Sequence, residues 1–288
     1  MKNKIITVGL IQSKVTDNLN LNIKNTLKSV EIAAKKGANI ICLQELYKTP
    51  YFPQNKGVKI ENYLETIPGE STELFKIIAK KYKASIILPI YEKAKNGKFY
   101  NTVVVINEKG EVQPSYRKLH IPHDPGFYEK DYFEEGDNGY VIFKHKNIKY
   151  AVLICFDQWF PEAARMAKLS GAEIIFYPTA IGDIIGNKPI DGDWHDAWET
   201  VMRGHAISNS LPIVAVNRIG IEGKLKFWGQ SFVTDAFGKV IKRASSSKNE
   251  VVIVKLDMCM NDYISNDWGF IRNRRPDTYK KITDKINK

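Results

Sequence analysis

Ile148-Lys-Tyr150-Ala-Val-Leu-Ile-Cys155-Phe-Asp-Gln-Trp-Phe-Pro161-Glu-Ala-Ala-Arg-Met-Ala-Lys-Leu169-Ser-Gly171-Ala-Glu173-Ile-Ile-Phe-Tyr177 is the stretch that decides the fold. The apolar run up to Cys155 predicts a strand, and Pro161 opens a helix predicted over 161–169, with proline in the first turn, where its missing N–H is no loss. Gly171 punctuates, and Glu173 to Tyr177 predicts a second strand. Cys155 stands at the carboxyl end of the first strand, facing a helix start. A thiol there is placed to ionise and attack, although a free cysteine is also a common packing residue.

Working outward, the same alternation occurs in the first third of the chain. Ile5 to Ile11 is apolar and β-branched, Asn18 to Lys36 carries apolar residues at helical spacing, Gly37 stops that helix, and Ala38 to Leu43 is apolar again. Gln44-Glu45-Leu46 forms the exit of that strand. A helix over Ser71 to Tyr82 and a strand over Ser85 to Ile90 come next. Strands Tyr100 to Ile106 and Glu111 to Arg117 then form an expected hairpin around Asn107-Glu-Lys-Gly110, and Lys118 ends it. Beyond Tyr177, a helix from Asp193 to Asn209 precedes strands Pro212 to Val216, Ser231 to Asp235, Val240 to Arg243 and Val251 to Leu256. The lysine-rich tail after Tyr279 reads as a frayed helix. This order implies a layered α/β architecture that mixes parallel and antiparallel strands.

The 288 residues contain no Pro/Ser/Gly-rich linker, so 1–288 reads as a single domain. Hydrophobic residues make up 43% and charged residues 26%, which is ample for a core and excludes global disorder. The first residues lack the long apolar region of a signal peptide, and no apolar run reaches the roughly 18 residues of a membrane span. A soluble, cytoplasmic protein is expected, with no membrane partner. Cys42, Cys155 and Cys259 are an odd number at unrelated spacings, which argues for reduced thiols and against a disulfide framework or a CxxC metal site. The net charge of +11 raises the question of nucleic acid. Its lysines are scattered singly and in pairs such as Lys35-Lys36 and Lys80-Lys81, without arginine clusters, so a solvated surface and no nucleic-acid partner are expected.

Three ionisable residues, Glu45, Lys118 and Cys155, each stand just beyond an apolar strand. In open α/β sheets the reactive groups collect outside the carboxyl ends of strands. Leu43-Gln44-Glu45-Leu46, Tyr116-Arg117-Lys118-Leu119-His120-Ile121-Pro122 and Ile154-Cys155-Phe156-Asp157-Gln158-Trp159-Phe160-Pro161-Glu162 occur in that order. In this the chain resembles the nitrilase (carbon-nitrogen hydrolase) superfamily, from Ile5 to Tyr279. Within it, Pro50-Tyr51-Phe52, Tyr177-Pro178-Thr179-Ala180-Ile181-Gly182, Gly204-His205-Ala206, Asn217-Arg218-Ile219-Gly220 and Trp268-Gly269-Phe270 are similar to the N-carbamoylputrescine amidase branch. Two departures stand out: Phe156 follows the cysteine where that branch has tryptophan, and the acidic residue after Thr-Ala-Ile-Gly is shifted to Asp183.

The resemblance implies a four-layer α/β/β/α sandwich and a thiol amidohydrolase whose catalytic residues are Glu45, Lys118 and Cys155. A thiol is only a few per cent ionised at neutral pH, so it needs a base or a positive field. Glu45 is expected to take the thiol proton, return it to departing ammonia and activate water. Lys118 and the Phe156 N–H are expected to stabilise the oxyanion, and Glu129 to support the triad. On a cationic ureido substrate such as N-carbamoylputrescine, this chemistry yields ammonia, carbon dioxide and a diamine, with no metal and no cofactor. Other amidase branches, among them β-ureidopropionase, ω-amidase and aliphatic amidase, remain alternatives.

The five histidines offer no zinc signature: His120 and His123 lack helical i, i+4 spacing and no HExxH occurs. A cationic tail calls for carboxylates despite the basic surface, and Asp124, Asp183 and Asp191 lie in segments able to supply them. Tyr51 and Trp159 are candidate apolar walls, and Thr179, Ala180 and Ile181 are further candidate substrate-binding residues. The resemblance also implies a homo-oligomer built from dimers, with the segment from about residue 258 reaching into subunit contacts.

Overall fold

The structure is a computed structural model that describes residues 4–187, 190 and 192–285; the expected contribution of Asp191 falls outside them. Two six-stranded sheets lie face to face. In the first, the strand order is Glu250–Asp257, Ile5–Gln12, Ile40–Leu43, Ser85–Lys93, Phe99–Ile106 and Tyr116–Arg117. Its Ile5, Ile40 and Ser85 strands run parallel, and antiparallel strands flank them on both sides. The second sheet runs Val240–Arg243, Phe232–Thr234, Ile213–Val216, Ile174–Pro178, Ile148–Val152 and Ile142–His145, again with a parallel centre.

Side-chain alternation sorts the residues of each strand between two cores. Ile6, Val8, Leu10, Ile40 and Cys42 pack with Tyr150, Val152, Phe176 and Val214 of the facing sheet. Their neighbours Ile11, Ile41 and Leu43 pack instead with Ile23, Val30 and Ala33 of helix α1 (Leu19–Lys35) and with Phe75 and Ala79 of helix α2 (Glu70–Tyr82). Helices α3 (Pro161–Leu169) and α4 (Trp194–Asn209) cover the other sheet with Ala163, Ala164, Ala167, Trp198, Met202 and Ala206. The layers are therefore α/β/β/α, as expected. Asn18 caps α1 through Leu21 N at 3.0 Å, and Asp193 caps α4 through His195 N at 2.9 Å. Among the described residues, no helix is long and apolar enough to cross a membrane.

Four sequence expectations change. The strand expected over Glu111 to Arg117 is reduced to Tyr116–Arg117 plus a bridge at Val112, because Pro114 has no N–H to give a ladder. The strand expected to reach Cys155 ends at Val152, and Cys155–Trp159 is a short 3-10 turn that precedes α3. Among the described residues of the tail after Tyr279, Lys280–Thr283 forms a 3-10 turn where a frayed helix was expected. A three-stranded sheet of Gly182–Ile184, Leu225–Trp228 and Ile219–Glu222 was not expected, nor was helix α5 (Cys259–Trp268).

Candidate active site

Glu45, Lys118 and Cys155 come together at the strand ends, where the two sheets meet. Lys118 is fully buried, and its Nζ donates to Glu129 Oε2 at 2.6 Å and to Glu45 Oε1 at 3.0 Å. Glu45 Oε1 also accepts from Asn101 Nδ2 at 2.7 Å, whereas its buried Oε2 has no hydrogen-bond partner among the described residues. A buried carboxylate oxygen left unpaired is costly in a finished core. Here it leaves a lone pair free to accept a proton. Tyr51 completes the cluster, its hydroxyl donating to Glu129 Oε1 at 2.7 Å.

Cys155 occupies a left-handed backbone conformation, with φ of 43°, directly after the extended Ile154. Such strain persists where the surroundings fix it, and Asp157 is one of its anchors. Its Oδ2 accepts from Ile154 N at 2.8 Å and Tyr116 Oη at 2.7 Å, and its Oδ1 accepts from His120 N at 3.0 Å. Tyr116 and His120 sit two residues either side of Lys118, so one carboxylate ties the cysteine turn to the lysine segment. The His120 ring Nδ1 lies 2.7 Å from Asp157 Oδ1 and the ring stacks on Phe160, a structural use of that histidine.

The electrostatics distinguish the four groups. Burial pushes the Cys155 thiol well above its ordinary range and Glu45 adds to this, while Lys118 opposes it. The resting nucleophile is therefore a thiol and needs a base. This revises the expectation of ionisation at a helix N-terminus: α3 begins six residues later, at Pro161. Burial disfavours the Lys118 ammonium, but Glu129 and Glu45 outweigh it and hold the amine above its usual value. Glu129 is raised from 4.5 to about 7, chiefly by burial, with Lys118 opposing the shift. Burial and the charge of Glu129 also keep the Tyr51 hydroxyl protonated.

A cavity of about 600 Å³ opens onto this cluster. Cys155 and Glu129 form its floor, and of the candidate substrate-binding residues Tyr51, Trp159, Ala180, Ile181 and Asp124 line it, together with Phe156. Two expected residues do not. Thr179 is fully buried, with Oγ1 donating to Gln158 Oε1 at 3.1 Å. Asp183 lines a neighbouring depression with Lys226, because strand alternation turns Ile184 towards the cavity and Asp183 away from it. Phe127, Ile184, Asn187 and Trp194 are wall residues that the sequence reading missed. Phe127 and Ile184 lie on strands of two and three residues, too short for periodicity to reveal which way they face, and Trp194 is only the first residue of α4. Among the described residues, no group of three or more His, Cys, Asp or Glu side chains could hold a metal ion.

A thiol, two carboxylates and a lysine at the strand ends of an α/β/β/α sandwich define a class of hydrolase that works through a cysteine. The carbon-nitrogen hydrolase family model matches residues 7–261, and the chain belongs to that family. It is 39% identical over 292 residues to N-carbamoylputrescine amidase of Solanum lycopersicum, with 98% of this chain and 96% of that protein covered. It is 37% identical over 287 residues to citrullinase of Francisella tularensis, covering 97% and 99%. A crystal structure of a carbon-nitrogen hydrolase from Helicobacter pylori G27 superposes with a TM-score of 0.93 at 36% identity, covering 98% of this chain and all of that one.

Proposed function

We propose that the protein removes the carbamoyl group of N-carbamoylputrescine, releasing putrescine, carbon dioxide and ammonia. The observation that carries this reading is the cavity itself. Its floor holds Cys155 beside Glu129, its walls are aromatic and aliphatic, and the exposed carboxylate of Asp124 lines its rim. A tetramethylene chain matches the walls, and a terminal ammonium matches the rim. The plant relatives of that name lend further support.

In this mechanism Glu45 Oε2 takes the Cys155 proton as Sγ attacks the carbamoyl carbon. The Lys118 ammonium and the Phe156 N–H receive the developing oxyanion, and one such donor typically contributes about 3–4 kcal/mol. Collapse of the intermediate breaks the carbon–nitrogen bond, and Glu45 returns the proton to the leaving ammonia. A thiocarbamate remains on Cys155. Glu45 then deprotonates a water that attacks this carbon, and Sγ leaves with the proton. The released N-carboxyamine loses carbon dioxide in solution. Glu129 and Tyr51 hold the Lys118 ammonium in line throughout.

The similarity to citrullinase supports a second substrate, citrulline, whose tail adds an α-carboxylate to the amine. That carboxylate calls for a cation, and among the described residues the cavity lining contains no lysine or arginine. The deciding experiment measures ammonia release from N-carbamoylputrescine, citrulline and N-carbamoyl-β-alanine. N-carbamoylputrescine is expected to give the highest kcat/KM by about tenfold or more, the worth of one well-placed tail contact. A preference for either carboxylate-bearing compound sinks the assignment.

The reading extends to a cytoplasmic homo-oligomer. Exposed Met166 and Leu169 on α3, and Met260, Tyr263 and Trp268 on α5, offer apolar surface for subunit contacts, and light scattering measures the assembly.

A further inference from the structure

The Asn217-Arg218 pair stands at the end of the Ile213–Val216 strand, outside the cavity lining, and both side chains are fully buried. Arg218 reaches across to the other sheet. Its Nη2 donates to the backbone carbonyls of Glu45 at 2.6 Å and Leu46 at 3.0 Å. Its Nη1 donates to Glu222 Oε1 at 2.9 Å, Glu222 Oε2 at 3.0 Å and Thr49 O at 3.3 Å. Leu46 takes a left-handed backbone conformation, with φ of 47°, so the chain turns sharply where the guanidinium grips it. Glu222 Oε2 in turn accepts from Tyr51 N at 2.7 Å.

These bonds close a ring. Arg218 holds Glu222, Glu222 holds Tyr51, the Tyr51 hydroxyl holds Glu129, Glu129 holds Lys118, Lys118 holds the Glu45 carboxylate, and the Glu45 carbonyl returns to Arg218. Asn217 fixes the opposite wall. Its Oδ1 accepts from Ile181 N at 3.0 Å and its Nδ2 donates to Ile181 O at 2.9 Å. The preceding carbonyl, Ala180 O, lies 3.9 Å from Cys155 Sγ.

We propose that Arg218 is a positioning residue for the reaction: its guanidinium sets where Glu45 presents its free carboxylate oxygen to Cys155 while Asn217 sets the facing wall. The inference rests on the reading of Glu45 as the base. Burying a guanidinium is costly, and the bonds of Nη1 and Nη2 offset that cost, while Nε has no hydrogen-bond partner among the described residues. A planar fork reaches two successive carbonyls and a carboxylate together, which the ammonium of lysine does not reproduce.

The test is Arg218→Lys and Glu222→Gln in the full-length protein, with ammonia release and iodoacetamide labelling of Cys155 both followed against pH. For Arg218→Lys, kcat is expected to fall about 100-fold, the scale of a displacement near 1 Å, with KM changed by less than about threefold. Labelling of Cys155 is expected to slow in parallel, because its proton acceptor is displaced. Glu222→Gln is expected to lower kcat by about tenfold with KM retained. Should Arg218→Lys fail to fold, as judged by near-UV circular dichroism, Glu222→Gln decides. Unchanged kcat and unslowed labelling of Cys155 in the folded variant overturn the proposal, as does a loss confined to KM. Inactivity of the wild-type protein on every ureido compound overturns instead the reading beneath it, and the labelling profiles still report on Arg218.

Discussion

Beneath the floor of the cavity Lys118 is joined to Glu129 at 2.6 Å, both fully buried, whereas Asp124, five residues before Glu129, lies exposed at the rim. A two-stranded hairpin links them, with His123 opposite Tyr128, Asp124 opposite Phe127, and Gly126 in the turn at φ of 84°. Floor and rim thus share one short segment but answer to different physics. At the floor, low polarity makes each charge expensive and each hydrogen bond strong, so the removal of one group unsettles the rest. At the rim, water screens charge, and a single carboxylate biases which tail is held.

The comparison breaks most sharply at Cys155. Cys155→Ala is expected to lower kcat by at least about 10⁴-fold, since no other group forms the covalent intermediate. Thermal stability should stay near that of the wild type. Mass spectrometry of the protein mixed with substrate is expected to detect an N-(4-aminobutyl)thiocarbamate adduct on the wild type and none on the variant. Glu45→Gln follows, with about 10³-fold loss in kcat, the usual scale for a positioned general base. Glutamine keeps the contacts of Oε1 and removes the proton acceptor, so KM is expected to change little. Turnover by either variant above these limits removes that residue from the mechanism.

Glu129 sharpens the contrast because its carboxyl titrates near neutrality, at about 7. When ionised, it accepts from both Lys118 and Tyr51. A proton on it costs one of these bonds, so kcat/KM is expected to fall as pH drops through about 7. Stability should move the other way. With a folded pKa above the ordinary 4.5, the native state binds the proton more tightly than the unfolded chain, so stability falls as pH rises from 4.5 to about 7. Glu129→Gln should lower kcat by about 10²-fold and flatten both dependences. Persistence of the same acid limb in the variant assigns it to another group.

The strand pattern placed Glu45, Lys118 and Cys155 each beyond an apolar strand, where such folds gather chemistry, but it was the resemblance of their three motifs to a known superfamily that joined them into one site. The alternation of apolar strands and amphipathic helices made a layered α/β architecture legible, and the same resemblance implied its four layers. What escaped were features decided by distant atoms. Arg218 grips carbonyls 172 and 173 residues away, and backbone carbonyls leave no mark in side-chain pattern. The extra three-stranded sheet is built from strands of three or four residues, too short for period-two alternation to declare a face. Asp183 was misplaced on that account. Pro114 was visible, yet the hairpin pattern around it suggested a longer strand than a residue without an N–H permits.

The smallest expected effects lie at the rim, where Asp124 and Asp183 give a matched pair. Both are exposed aspartates, but only Asp124 lines the cavity that holds Cys155; Asp183 stands opposite Lys226 in the neighbouring depression. Asp124→Asn is expected to raise KM for N-carbamoylputrescine about three- to tenfold with kcat nearly unchanged. An exposed ion pair contributes only about 1 kcal/mol or less, and a partly enclosed one somewhat more. The same change should narrow the preference over citrulline, and raising ionic strength should weaken the wild-type advantage in parallel. Asp183→Asn is expected to leave both constants within about twofold, as surface substitutions away from a site do. If Asp183→Asn raises KM and Asp124→Asn does not, the substrate tail turns past Ile184 into the second depression, and the rim must be redrawn around Lys226.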